Sequence, residues 1–318
     1  MKKWIKFEVA IVFFACVMVA MESCKENNPV ADKEVALNTD IENAPIKTPK
    51  KNLSQEFKAY WYAGQAEITS YSLTQPRYGQ IREGNAVLIF VTEPFSAEKQ
   101  VKADNHHSSN IPVLKLNSTK NYLTGIYPYS IMTSSFYPVH DNSHAVKLAF
   151  SAQEWCGQVY AQLNNRERLE FMSHSYFESE ADQLLEVDQA ILENELWNKI
   201  RIDPKSLPTG EFEVIPSLEF IRLSHKEFKT YRANGSLTEN DGLSSYTLSY
   251  PELKRSLKIN FTSSFPYSIE GWSETFVSGF GANAKEMTSE AKKLKSIKSP
   301  YWQRNSNEYL SLRDSLGL

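Results

Sequence analysis

From Phe57 onward the chain is a succession of short runs in which apolar and polar residues alternate, set between turn residues. Leu253, Arg255, Leu257, Ile259 and Phe261 alternate with Lys254, Ser256, Lys258 and Asn260, and Tyr246, Leu248 and Tyr250 with Ser245, Thr247 and Ser249. A period of two puts successive side chains on opposite faces of a strand, so each run offers one face to a core. Ala66–Leu73, Tyr78–Arg82, Val113–Asn117, Ser130–Tyr137, Ala145–Ser151, Gln158–Leu163 and Leu169–Tyr176 read the same way. Ala86–Val91 is nearly all apolar, which predicts a central strand covered on both faces. Glu211–Ile215, Leu218–Leu223, Phe228–Ala233 and a run from Pro266 to Phe276 continue the series, with turns at Glu83-Gly84-Asn85, Asn234-Gly235 and Asp241-Gly242. Such close spacing predicts antiparallel pairing.

One stretch breaks the rhythm. Across Asp188–Ile202, Leu192, Leu196 and Ile200 lie four apart beside Trp197, Glu195 precedes Lys199 by four, and Asp203-Pro204 ends the pattern. This predicts an amphipathic helix, packed on the sheet or filling the mouth of a curved one. Ala284–Lys298, with Met287, Ala291 and Leu294 on one side, predicts a second, basic helix. The expected fold is therefore mainly β: an antiparallel, strongly curved sheet or partly open β-barrel with one packed amphipathic helix and a short C-terminal helix. The expected β-rich body spans 55-280, with halves 55-185 and 205-280 joined by helix 188-202, and 281-318 forms a partly helical polar tail.

The first residues read as an address. Lys2, Lys3 and Lys6 precede the apolar run Val9–Ala20, which at about 1.5 Å per residue spans roughly 18 Å, short of a hydrocarbon core of about 30 Å. Residues 1-24 thus read as a secretory signal peptide. Ser23-Cys24 at its end resembles the lipobox of bacterial lipoproteins, which predicts lipidation (palmitate) of Cys24, an outer-membrane anchor and a periplasmic or surface location. Lys25-Glu26 resembles a surface-export tag. Residues 25-54, with Pro29, Pro45 and Pro49 among polar residues, read as a disordered tether. Once Cys16 leaves with the signal and Cys24 takes a lipid, Cys156 is the one thiol left, so the body is expected to have no internal disulfide.

The residues give no catalytic signature. Net charge is −3, and nothing in the chain gathers Lys and Arg as a nucleic-acid binder does. His106-His107 are adjacent and point to opposite faces of an extended chain, and His140 and His144 sit in a polar loop, so no metal or other cofactor is expected. There is no Gly-x-Ser-x-Gly elbow and no phosphate loop; Gly279-Phe280-Gly281 is too short for one. An envelope hydrolase would draw on Cys156 near His174, or on the carboxylates Glu178, Glu180 and Asp182. What stands out is aromatic surface: 16 Tyr, 17 Phe and 6 Trp. Tyr60, Trp61, Tyr127, Tyr129, Trp155 and Tyr160 are the candidate ligand-binding residues, because Tyr and Trp join an apolar body to a polar tip.

Several stretches resemble a family of Bacteroidetes lipoproteins of uncharacterised role. They are Tyr60-Trp61-Tyr62-Ala63-Gly64 with Ala66–Tyr71, Arg82–Phe95, Thr124–Ser130 and Gln153-Glu154-Trp155-Cys156-Gly157. Members often carry the label "septum formation inhibitor Maf", although Maf proteins proper are cytoplasmic α/β nucleotide pyrophosphatases. The resemblance implies no catalytic residue. By pattern the body also resembles half-barrel envelope proteins that shelter acyl chains, such as the lipoprotein carrier LolA. The expected function is that of a lipid-anchored envelope protein binding an amphiphilic or glycan ligand, or a partner protein, through an aromatic-lined concave β surface. The alternatives are an envelope hydrolase and a structural subunit of a surface assembly.

Overall fold

A computed structural model of the chain describes residues 52–141 and 143–318, which belong to one compact unit. The expected signal peptide, Cys24 and the tether as far as residue 51 lie outside the described residues. Sixteen strands form one sheet: β1 (Ala66–Arg77), β2 (Gln80–Ser96), β3 (Val101–Lys102), β4 (Asn110–Thr124), β5 (Tyr127–Pro138), β6 (Lys147–Glu154), β7 (Gly157–Asn165), β8 (Leu169–Ser175), β9 (Asp182–Val187), β10 (Ile191–Leu192), β11 (Gly210–Ile215), β12 (Tyr231–Thr238), β13 (Leu243–Tyr250), β14 (Arg255–Thr262), β15 (Ile269–Ser278) and β16 (Lys285–Ser299). The spatial order runs from β10 through β16 to β1, β2 and β4 to β9, with β3 on β2. All pairs are antiparallel except β10 with β11.

The curvature follows from the connectivity. β9 and β10 are the two edges of the sheet, yet only residues 188–190 join them. That connection spans at most about 14 Å, so the sheet curls until its edges nearly meet, without closing into a barrel. The seam is covered by α3 (Leu218–Leu223) and the loop after it. Phe228 stacks on Phe171 of β8 at 3.8 Å, and Arg222 pairs with Glu180 at 2.9 Å.

The enclosed face is filled by α2 (Glu193–Ile202). Leu196 and Ile200 pack into the main core, and eight of its ten residues are buried, polar ones included. Its buried polar side chains meet matched groups on the sheet, on the loop before β6 and on α3. Arg201 makes a two-pronged ion pair with Glu67 (2.6 and 2.7 Å), which Tyr60 caps with its hydroxyl. Glu193 receives Arg255 (2.7 Å) and the Tyr250 hydroxyl (2.6 Å), and Arg255 also reaches Glu274. Glu195 takes the Ala145 N–H and contacts His144 Nδ1, while Asn198 bridges Ser135 and the Leu114 carbonyl. Inside so curved a sheet every direction around the helix is protein, so polar groups must be paired to be tolerated at all.

Several expectations need correcting. Ala284–Lys298 is not a helix: β16 lies between β15 and β1, and helical turns in the C-terminal segment fall within 301–316 instead. The inward residues of β16 include Ser289 and Ala291, small because the Tyr71 and Trp272 rings meet nearby at 4.9 Å, so the strand lacks a strong period of two. Leu218–Leu223 is helix α3, capped by Ser217, whose Oγ accepts the Phe220 N–H at 3.2 Å. Glu83-Gly84-Asn85 lies within β2 and Asn234-Gly235 within β12, neither at a turn, Tyr78 opens a turn and not a strand, and the helix expected from Asp188 starts at Glu193. α1 (Gln55–Trp61), capped by Ser54, takes up the start of the body. On the outer face of β1 and β2 a second apolar cluster of Ala66, Ile68, Val87 and Val91 is closed by Leu316. These central strands are therefore covered on both sides, as the run Ala86–Val91 implies.

Candidate functional site

The concave surface expected to hold a ligand is occupied by α2. The space left beside it is about 50 Å³, and another of about 40 Å³ lies between α3 and strands β7 and β8, each on the scale of one or two waters. A roomier cleft of about 400 Å³ opens at the end of the sheet where the turns β1–β2, β13–β14 and β15–β16 gather. Its walls combine Phe220, Leu223, Phe276 and Phe280 with Arg77 and Lys254.

Hairpin geometry places the rings at that end. The β1–β2 turn is Tyr78-Gly79, both with positive φ (55° and 74°), the two-residue form that matches strand twist. The β4–β5 turn is Gly125-Ile126, with the positive φ at Gly125, and the β6–β7 turn is Trp155-Cys156. From these tips the rings run in an unbroken series of contacts. Trp155 meets Tyr127 (6.3 Å), and Tyr127 meets Tyr129 (6.0 Å). Tyr129 bonds Tyr78 through their hydroxyls (2.7 Å), and Tyr78 meets Phe280 (6.4 Å). Phe280 meets His225, His225 meets Phe177 (6.3 Å each), and Phe177 meets Tyr176 (5.5 Å). The Tyr176 ring lies so close over Gly157 that a Cβ there would stand 2.6 Å from it, which returns the series to the turn bearing Trp155. Several members are open to solvent: Trp155 is 68% exposed, Tyr176 66% and Phe280 62%, with Ile126 beyond them at 83%.

Arg77 sits at the centre of this rim. Its guanidinium lies over the rings of Tyr78 (4.5 Å) and Tyr129 (5.2 Å) and donates to the Tyr129 hydroxyl and the Leu223 carbonyl. Burial pushes its pKa down, and the phenol oxygens of Tyr129 and Tyr78 push it up by more, so it stays a cation. Beside it, Tyr122 stacks on Tyr129 at 5.1 Å, and its buried hydroxyl has no partner among the described residues.

The expected site residues divide. Tyr127, Tyr129 and Trp155 come together on the rim, although Tyr129 is itself buried. Tyr60 and Trp61 lie at the other end of β1, beside Glu67, which is ten residues or about 33 Å from Arg77. They line no concavity: Trp61 is 1% exposed and packs on Arg201 and Phe90, and Tyr60 is tied to Glu67. Tyr160 alternates with inward Val159 and Ala161, so it points from the outer face and bonds Gln162. The sequence reading missed Arg77, Tyr78, His225, Lys226, Lys254 and Phe280. Its available signal was the Tyr78-Gly79 turn and the Gly-flanked Phe280.

Nucleophile chemistry finds no support in the geometry. His174 pairs across from Tyr160, four residues or about 13 Å along β7 from Cys156, and its imidazole contacts Asp182. Hydrogen bonding to Glu154 pushes the Cys156 thiol up, away from thiolate. Glu180 is held by Ser175, Arg222 and His225. No group of three or more His, Cys, Asp or Glu side chains able to hold a metal ion occurs among the described residues. No protein-family model, curated protein or solved structure matches the chain.

Proposed function

We propose that this chain is an exported protein, held to the outer membrane through Cys24, that binds an amphiphilic ligand at the aromatic rim and not inside the sheet. The observation that carries this reading is a cleft of about 400 Å³ bordered by a run of partly exposed rings from separate hairpins, which the other open space, about 300 Å³ along Ser249–Ser256, lacks. Spending four hairpin tips on exposed aromatic side chains leaves apolar surface in water that a ligand's hydrocarbon would cover. An amphiphile fits better than a glycan, because Phe220, Phe276 and Phe280 offer no hydrogen bonds to sugar hydroxyls.

Two measurements test it. Full-length protein extracted from membranes should retain an amphiphile at close to one molecule per chain, read by mass spectrometry after solvent extraction. Paired Tyr78→Ala and Phe280→Ala changes should strip it while the protein stays folded. Equal retention in the variant, or none in the wild type, sinks the binding reading. For the anchor, metabolic palmitate label should be lost with Cys24→Ala; label that persists places the lipid elsewhere.

A further inference from the structure

We infer that the cleft selects amphiphiles with an anionic headgroup, a phosphate, sulfate or carboxylate, through Arg77, Lys226 and Lys254; this rests on the rim being the binding site. The cleft walls carry three permanent cations, Arg77, Lys226 and Lys254, against one carboxylate, Glu252, with His225 as a further titratable group. None of the three cations has a carboxylate partner among the described residues. Several buried or half-buried cations elsewhere are paired with carboxylates: Arg201 with Glu67, Arg255 with Glu193 and Glu274, Lys120 with Glu219, Arg222 with Glu180. Arg77 has no such carboxylate, and it stands at the edge of the 400 Å³ cleft.

Phenol oxygens and one carbonyl satisfy part of the Arg77 donor set and fix the guanidinium plane between two rings. They leave its charge uncompensated in a half-buried place, where a counter-ion is worth more than in water. Its Nε and Nη2 protons go to the Tyr129 and Tyr78 hydroxyls and one Nη1 proton to the Leu223 carbonyl, so the guanidinium offers an anion its charge and the remaining Nη1 proton, with the two lysines as mobile point charges beside it. The phenyl wall of Phe220, Phe276 and Phe280 continues from these cations. A headgroup at Arg77 would therefore lay its chain along the rings. Charge and apolar surface are contiguous, as an anionic amphiphile requires.

The test uses full-length protein in phosphatidylcholine nanodiscs, titrated calorimetrically with hexyl phosphate, hexyl glucoside and inorganic phosphate, with empty discs subtracted. Hexyl phosphate should bind one per chain and at least about tenfold tighter than hexyl glucoside, and inorganic phosphate should bind more weakly than hexyl phosphate. Lys226→Gln with Lys254→Gln, both exposed and so harmless to the fold, should cut the preference by about tenfold. Arg77→Met should abolish it. Equal affinity for hexyl phosphate and hexyl glucoside, or a preference untouched by the lysine changes, overturns the anionic assignment while leaving the rim as an amphiphile site. Inorganic phosphate binding as tightly as hexyl phosphate overturns the amphiphile reading and leaves a bare anion site. Binding of none of the three overturns both.

Discussion

At the scale of single residues, the protein is governed by charges it has taken out of water. Burial alone pushes the carboxyls of Glu67 and Glu193 up, but Arg201 and Arg255 outweigh it and hold both below the usual carboxylate range. Groups depressed in the folded state contribute stability above their unfolded pKa of about 4.3, and lose it as pH falls through the folded value. Urea unfolding should therefore show stability flat from neutrality to about pH 5 and falling below about pH 4. Removing one partner should cost far more than removing both. Arg201→Met strands Glu67 and should cost about 3–5 kcal/mol, whereas adding Glu67→Leu should recover a large part of it, as read by denaturant midpoints. A double variant no better than the single one would mean that Tyr60 and the Pro266 carbonyl matter more to Arg201 than the pair does. None of these pairings could be read from the chain, since Glu67 and Arg201 are separated by 134 positions.

At the scale of elements, legibility tracked the size of the inward residues. β14 buries Leu257, Ile259 and Phe261 in strict alternation, and both its existence and its facing are plain in the sequence. β16 buries Ala291 opposite Trp272 of β15, and Ser289, whose hydroxyl donates to the Thr74 carbonyl of β1, so its own apolar residues mimic a helical spacing. The strand assignment makes a prediction that a surface helix would not share in the same form. Lys292 is exposed, yet its backbone pairs with Ser72 on one side and Gly271 on the other. Lys292→Pro removes a donor from the middle of the ladder and should cost about 3 kcal/mol or more. The decisive readout is hydrogen exchange, which should rise across β1 and β15 together and not locally. α3 failed for the opposite reason to β16: in Leu-Glu-Phe-Ile-Arg-Leu the apolar residues satisfy either period, and the Ser217 cap decides.

At the scale of the whole body, continuity is the main fact. The two halves expected on either side of the helix belong to one sheet, joined through the pairing of β16 with β1, whose partners lie more than 200 residues apart. The C-terminal segment then closes the outer face of β1 and β2 through Leu316, whose carbonyl also takes the Ser70 hydroxyl. Deleting residues 301–318 should expose Ile68, Val87 and Val91, lower stability by about 2 kcal/mol and promote self-association. Melting curves and size-exclusion profiles at two concentrations check this, and an unchanged monomeric protein would contradict it.

The chain alone determined the class of structure, mainly antiparallel β with an amphipathic helix after the first run of strands, because period and turn chemistry are local properties that each element carries itself. It also marked the aromatic tips Tyr127, Tyr129 and Trp155. Tertiary structure alone decided where those tips meet, that Trp61 is core, and that the helix fills the curve where a ligand was expected. It alone also put Arg77 beside Lys226 and Lys254. Those facts depend on how far the sheet curls. The curl needs both the short 188–190 link between the edge strands and the pairing of β16 with β1, and no local pattern records that pairing.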